Sequence, residues 1–295
     1  MSIAYLFPGQ GSQFTGMGKD HYDNHEGFRK KVDLADDILG YPLSKIMFNG
    51  PEKKLTQTQY TQPAIFLHSV ALFETMDARP DLGAGHSLGE FSALVAARAL
   101  RFEDGIELVS IRGRLMQEAG EMNPGAMAAI IGMDDEIVEK ICEEATMETF
   151  KPVVPANFNC PGQIVISGHT KAVEAAVELA KGRGCRLAKL LPVSGAFHSE
   201  LMKPAYNGLK EKLEQISIEQ AEFPIYSNYS AKPTTDPGEI RTNLLNQLLN
   251  PVRWTQTLIN MNEDGANTFV EVGPGNVLQG LVKRTLKNVE IENYQ

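Results

Sequence analysis

The stretch that most constrains the fold lies between Pro80 and Leu100. A short run of small residues, Leu82-Gly83-Ala84-Gly85, meets the pentapeptide Gly85-His86-Ser87-Leu88-Gly89, and an Ala- and Leu-rich segment follows. That order predicts a strand, a sharp turn and a helix over Leu88 to Leu100. The pentapeptide has the form G-x-S-x-G, in which flanking glycines permit a strained strand-to-helix turn. Such a turn projects the serine hydroxyl and aims the helix N-terminus at a developing negative charge. A plainer reading makes Ser87 an ordinary helix N-cap, with Glu90 three residues later closing a capping box. Under either reading the chain enters a helix at Ser87.

The rest of the sequence supplies a frame for that turn. Ile3 to Phe7 is an apolar run stopped by Pro8-Gly9-Gln10-Gly11, a buried strand feeding a glycine-rich turn. A long helix is expected to follow Gln62, with Pro63 in its first turn, and an amphipathic helix over Glu103 to Glu118. Strand patterns return at Phe223–Asn228 and Thr268–Val272. From about Ala126 to Leu191 the texture changes. Ala126–Ile131, Gln163–Ser167 and Cys185–Leu191 read as strands, and Asp134–Glu144 and Lys171–Lys181 as helices, a βαββαβ-like unit with one strand weakly marked. This is a small α+β domain, residues 125–191, inserted between two segments, 1–124 and 192–295, of a larger α/β domain, with Gly125 and Pro192 as hinges. The segment Asn288–Gln295 is too polar to demand order.

With 295 residues, 42% apolar and 22% charged, the chain can build such a core. Its formal charge of −9 argues against wrapping nucleic acid or lying on anionic lipid, both of which require a basic surface. No apolar run approaches the roughly 20 residues of a membrane span. Cys142, Cys160 and Cys185 are odd in number and widely spaced, which fits neither a disulfide framework nor a zinc site; a cytoplasmic protein is expected. A serine nucleophile needs a base. Of the six histidines, His86 points away from Ser87 across the sharp turn, His68 belongs to an apolar helix, and His21, His25 and His169 read as surface residues. His198, in Pro192-Val193-Ser194-Gly195-Ala196-Phe197-His198-Ser199, is the candidate base.

Seven motifs stand in a fixed order: Phe7-Pro8-Gly9-Gln10-Gly11-Ser12-Gln13; Gly85-His86-Ser87-Leu88-Gly89-Glu90; Arg112-Gly113 with Met116-Gln117; Asn157-Phe158-Asn159 with Pro161-Gly162-Gln163; Phe197-His198-Ser199; Asn250-Pro251-Val252 with Trp254; and Glu271-Val272-Gly273-Pro274-Gly275. Together they resemble the malonyl-CoA:acyl carrier protein transacylases over nearly the whole chain. The resemblance implies an α/β-hydrolase-like core with an inserted ferredoxin-like α+β subdomain, in agreement with the texture of the sequence.

It also implies roles. Ser87 is the nucleophile and His198 its base, and the backbone N–H groups of Gln10 and Leu88 form the oxyanion hole. No acid completes the triad; the histidine is oriented by backbone carbonyls, for which Gln247 is the matching position. Arg112 holds the malonyl carboxylate through its planar, always charged fork. Without the resemblance Arg112 would pass for a surface arginine near Glu107 or Glu118. Phe197 lines the acyl pocket, and His86 and Asn159 belong to the substrate site.

The implied reaction moves malonyl from malonyl-CoA to the phosphopantetheine thiol of an acyl carrier protein by a ping-pong route through a malonyl-serine, for fatty acid or polyketide synthesis. No metal, nucleotide or flavin cofactor is expected, and the enzyme is expected to act as a monomer. Two other readings use the same residues: a hydrolase clearing acyl groups from carrier proteins, which Arg112 opposes, and a non-catalytic carrier-binding protein, which the full set Ser87, His198, Arg112 and Gln10 opposes. Lys181, Arg183, Arg186 and Lys189 form the densest basic cluster expected near the cleft, suited to an acidic carrier protein.

Overall fold

The apolar run at the start of the chain forms a strand over Ser2–Phe7, and its alternation explains its place. Tyr5 and Phe7 enter one apolar cluster, while Ala4 and Leu6 enter another on the opposite face. A strand apolar on both sides belongs inside a sheet covered on both faces. The computed structural model describes residues 2–193 and 195–295. Its strands are β1 (Ser2–Phe7), β2 (Leu82–Gly85), β3 (Gly125–Ile131), β4 (Val153–Cys160), β5 (Gln163–His169), β6 (Leu187–Leu190), β7 (Ile225–Tyr226), β8 (Pro233–Thr234), β9 (Ala266–Val272) and β10 (Glu290–Tyr294). The larger sheet has the order β10-β9-β1-β2-β7-β8. Every pairing in it is parallel except that of β7 with β8. The fold is therefore an α/β core, and its β1 and β2 end side by side, with Phe7 paired to Gly85.

The smaller sheet, β4-β5-β3-β6, is antiparallel throughout. With the helices Asp135–Thr149 and Thr170–Gly182 it runs βαββαβ, as its sequence texture suggests, and β4 supplies the weakly marked strand. Its period-2 pattern sorts two environments. Ala128, Ile130, Ile164 and Ile166 pack on the two helices, whereas Met127, Ala129 and Val165 turn to a cleft shared with the larger sheet.

Four expectations are corrected. The helix expected after Gln62 starts a turn earlier and spans Thr58–Phe73, so Pro63 lies inside it. Every residue from Thr61 to Phe73 is buried, and packing on all sides holds the helix despite the proline. The helix after Ser87 ends at Ala96 rather than Leu100. No capping box forms at Ser87, because Leu88 is the N-cap residue and Glu90 makes other bonds. The polar C-terminal segment is ordered as β10, which lies parallel to β9 from Glu290 opposite Thr268 to Tyr294 opposite Val272. An edge strand needs backbone partners more than apolar side chains, and Ile291 supplies the one apolar anchor. Among the described residues no helix is long and apolar enough to cross a membrane.

Candidate active site

Ligand sites in open parallel sheets gather beyond the carboxyl ends of the strands. There, β1 runs into Pro8-Gly9-Gln10 and β2 into His86-Ser87. Ser87 has φ 52°, the left-handed region that a side-chain-bearing residue adopts only under constraint. The constraint comes from close packing. A Cβ on Gly85 would sit 1.9 Å from the Gly89 carbonyl, and one on Gly89 would sit 2.0 Å from the Phe7 oxygen. Asn228 adds a clamp: its Oδ1 accepts the Ser87 N–H at 2.6 Å and its Nδ2 donates to the Gly85 carbonyl at 2.7 Å.

His198 meets the serine from 111 positions downstream, its Nε2 2.9 Å from Ser87 Oγ. Its Nδ1 lies 2.8 Å from the Gln247 carbonyl. A carbonyl only accepts, so the ring proton resides on Nδ1 and the Nε2 lone pair faces the hydroxyl. Burial pushes His198 down to about 3, and the Arg112 guanidinium adds to that effect, so the imidazole is neutral at pH 7. The arrangement can take a proton from Ser87 without any carboxylate behind the histidine.

Arg112 is no surface residue. It is 1% exposed, on the helix Phe102–Met122, with Phe91 beneath its guanidinium. Glu107 and Glu118, its expected surface neighbours, pair instead with Lys212 and Arg114. Nη1 donates to Gln62 Oε1 at 2.7 Å, and Nη2 donates to Gln247 Oε1 at 2.9 Å and to Ser87 Oγ at 3.2 Å. Nε has no partner among the described residues, and no carboxylate there lies within ion-pair distance of the group. Desolvation lowers Arg112 to about 10, still far above neutrality. A buried cation whose Nη atoms are held by neutral carboxamides can receive an anion.

The remaining expected residues converge on the same cavity, of 450 Å³, where Gln10, His86, Leu88, Asn159 and Phe197 all line the wall. Among the described residues neither the Gln10 nor the Leu88 backbone N–H has an acceptor, which leaves both free for an oxyanion. His86 turns from Ser87 and bonds Asn159 Oδ1 through Nε2 at 2.9 Å, its ring edge-on to Trp254. His68 is a buried core residue as expected, lowered to about 3 by desolvation. His25 is exposed, and His21 and His169 are half-buried.

The basic cluster does not join the cleft. Lys181 is paired with Glu178 and Arg183 with Glu144, and none of the four residues lines the cavity. The cation on the rim is Arg284, held by Gln163 Oε1. Sequence reasoning missed three contributors: Asn228, Glu90 in its buried role, and Gln62. Asn228 stands at the end of an expected strand, on the rim where the site forms, and that position was the available signal. Burial raises the Glu90 carboxyl to about 7.

Comparison with known proteins agrees with this geometry. The acyl transferase domain family matches residues 4–295. A malonyl CoA-acyl carrier protein transacylase of Bacillus subtilis (strain 168) is 48% identical over 297 residues, covering 99% of this chain and 93% of that protein. The solved malonyl CoA-acyl carrier protein transacylase of Coxiella burnetii superposes with a TM-score of 0.96 at 41% identity, covering 100% of this chain and 94% of that one. A malonyl-transacylase solved in complex with its type II PKS acyl-carrier protein gives a TM-score of 0.94 at 42% identity, covering 99% of this chain and 95% of that one. With a serine on a strained turn, a neutral histidine against its hydroxyl and a family match over almost its full length, the chain belongs to the acyl transferase domain family.

Proposed function

We propose that the protein transfers the malonyl group of malonyl-CoA to the phosphopantetheine thiol of an acyl carrier protein through a malonyl ester on Ser87. The observation that carries this reading is Arg112: a buried cation, without an ion-paired carboxylate among the described residues, whose Nη2 lies 3.2 Å from the nucleophilic oxygen. In a malonyl thioester the free carboxyl carbon is two bonds from the reacting carbonyl carbon. A donor attacked by Ser87 Oγ therefore sets its carboxylate beside that guanidinium, where bidentate pairing is available.

The steps follow from the geometry. His198 Nε2 accepts the Ser87 proton as Oγ attacks the thioester carbonyl. The N–H groups of Gln10 and Leu88 stabilise the oxyanion. His198, now an imidazolium held by the Gln247 carbonyl, returns the proton to the departing coenzyme A sulfur. The carrier thiol then enters, gives its proton to His198 and attacks the malonyl ester; the tetrahedral intermediate collapses and the proton returns to Ser87. Phe197 and the bonded His86–Asn159 pair line the cavity that takes the acyl chain. Nucleophile, base and electrostatic groups all come from the chain, so the reaction needs no resident cofactor.

The same reading treats residues 125–191 as a ferredoxin-like insertion and residues 1–124 with 192–295 as the catalytic unit, supported by the separate sheet and apolar cluster of the insertion. A coenzyme A donor and three free thiols favour a cytoplasmic setting. Intact-mass analysis after mixing with malonyl-CoA tests the proposal: wild type gains about 86 mass units, the malonyl-for-hydrogen increment. Ser87→Ala gains nothing. Malonyl labelling of Ser87→Ala to the wild-type extent would overturn the assignment, and rapid loss of the adduct to free malonate without carrier protein would favour a hydrolase.

A further inference from the structure

We propose that Glu90 is a positioning residue for malonyl recognition: it locks the Gln247 carboxamide in the one orientation that keeps Arg112 aligned for the donor's carboxylate. This rests on the reading of Arg112 given above. Gln247 Nε2 donates to two acceptors, the Ser87 carbonyl at 2.9 Å and Glu90 Oε2 at 2.8 Å, and Oε1 accepts from Arg112 Nη2 at 2.9 Å. An amide can sit either way round in such a slot. Flipped, its NH₂ would face the guanidinium donors and its oxygen would face two acceptors. Glu90 makes the flip costly because the oxygen it presents already accepts the Asn228 N–H and so meets Gln247 only as an acceptor.

Glu90 is 3% exposed, and its Oε2 also takes the Asn228 N–H at 3.0 Å. It forms no ion pair with Arg112 among the described residues; the two groups attract each other through space, and the bonds that connect them run through Gln247. A buried carboxylate is a poor stabilising device, since an apolar residue of similar size often serves stability as well or better. Here it completes a set of bonds ending on the group that reads the substrate's charge.

The test compares second-order rate constants for acyl-serine formation from malonyl-CoA and acetyl-CoA, because only the former brings a carboxylate to Arg112. Glu90→Met removes the acceptor, and the malonyl-to-acetyl ratio should fall about tenfold, the scale of a misplaced hydrogen bond to a charged group. Glu90→Gln should restore the ratio, since a carboxamide oxygen accepts the same two hydrogens. A folded Glu90→Met protein with the wild-type ratio overturns the proposal, as does Glu90→Gln falling as far as Glu90→Met. Should Glu90→Met not fold, Gln247→Met removes the oriented amide itself, and an unchanged ratio there is equally fatal. Arg112→Ala run alongside separates the two claims. An unchanged ratio in that variant sinks the carboxylate reading and this proposal with it, whereas a collapsed ratio beside an unchanged Glu90→Met sinks the proposal alone.

Discussion

Acidification tests the base assignment most sharply. The buried His198 imidazole, with Arg112 close by, is pushed down to about 3, against an ordinary value of 6.5. A free-enzyme pKa governs the pH dependence of kcat/KM for the acylation half-reaction. A histidine titrating at 6.5 would be about 76% neutral at pH 7 and about 3% neutral at pH 5, a roughly 25-fold loss of active base. One titrating at about 3 stays about 99% neutral at pH 5, so kcat/KM should change less than about twofold over this range. The assay is quenched-flow formation of acyl-serine from malonyl-CoA, with a check by circular dichroism that the fold persists. Of the neighbouring groups, Arg112 stays charged throughout and His86 is itself lowered by burial, but Glu90, raised to about 7, titrates inside the window. The profile is therefore repeated in Glu90→Gln, which removes that titration. An acid limb between pH 6 and 6.5 in Glu90→Gln would refute the reasoning, because it would mean that His198 is solvated or that another group is the base.

Three further outcomes follow from packing and burial. Gly89→Ala forces a methyl to within 2.0 Å of the Phe7 carbonyl, so urea unfolding should show a loss at or above the upper end of the usual overpacking range, about 1–3 kcal/mol. Gly280→Ala meets open space on the helix Val277–Thr285 and should instead gain up to about 1 kcal/mol. His68 is lowered to about 3 and its Nδ1 has no partner among the described residues. Below 6.5 the unfolded state binds a proton that folded His68 does not, so wild type loses stability as pH falls toward that folded value. Relative to wild type, His68→Leu should therefore become more stable by about 2 kcal/mol between pH 7 and pH 5, at about 1.4 kcal/mol per unit over 1.5 units. A pH-independent difference in urea unfolding would show that His68 takes up its proton in the fold as readily as in the unfolded chain.

Periodicity and turn chemistry made the fold legible because they report burial. The alternation of Ile3 to Phe7, the small residues before Gly85 and the helical spacing of Asp135–Thr149 each name an environment, and the chain supplies those environments. β10 escaped because its ladder with β9 is made by backbone groups, which carry no side-chain signature. The helix Thr58–Phe73 was misplaced at its start because a proline suits a first turn, yet tertiary packing tolerates Pro63 further in. Ser87 and His198 could be singled out from residue type and context. Arg112 could not be, since an arginine on an amphipathic helix reads as exposed until its neighbours are known. The resemblance to a family, not the pattern of the helix, pointed to it.

Gln247 shows why the polar interior lies beyond such reading. It ends the helix Pro237–Gln247 and is fully buried, and only the resemblance to a family drew attention to it. Its carbonyl fixes the His198 tautomer, its Nε2 holds the Ser87 carbonyl and Glu90, and its Oε1 satisfies Arg112. One residue thus orients the proposed nucleophile, base and substrate receptor, and each of those partners comes from a different part of the chain. The neutrality of Gln62 and Gln247 matters as much as their geometry. Had a carboxylate taken the place of either amide, Arg112 would be paired already, and an incoming malonyl group would have to displace a buried anion. On the proposed reading, the two carboxamides take hydrogens of Nη1 and Nη2 while leaving the charge for the substrate, so the desolvation that makes a buried Arg112 costly would also make it selective for a donor carrying an anion.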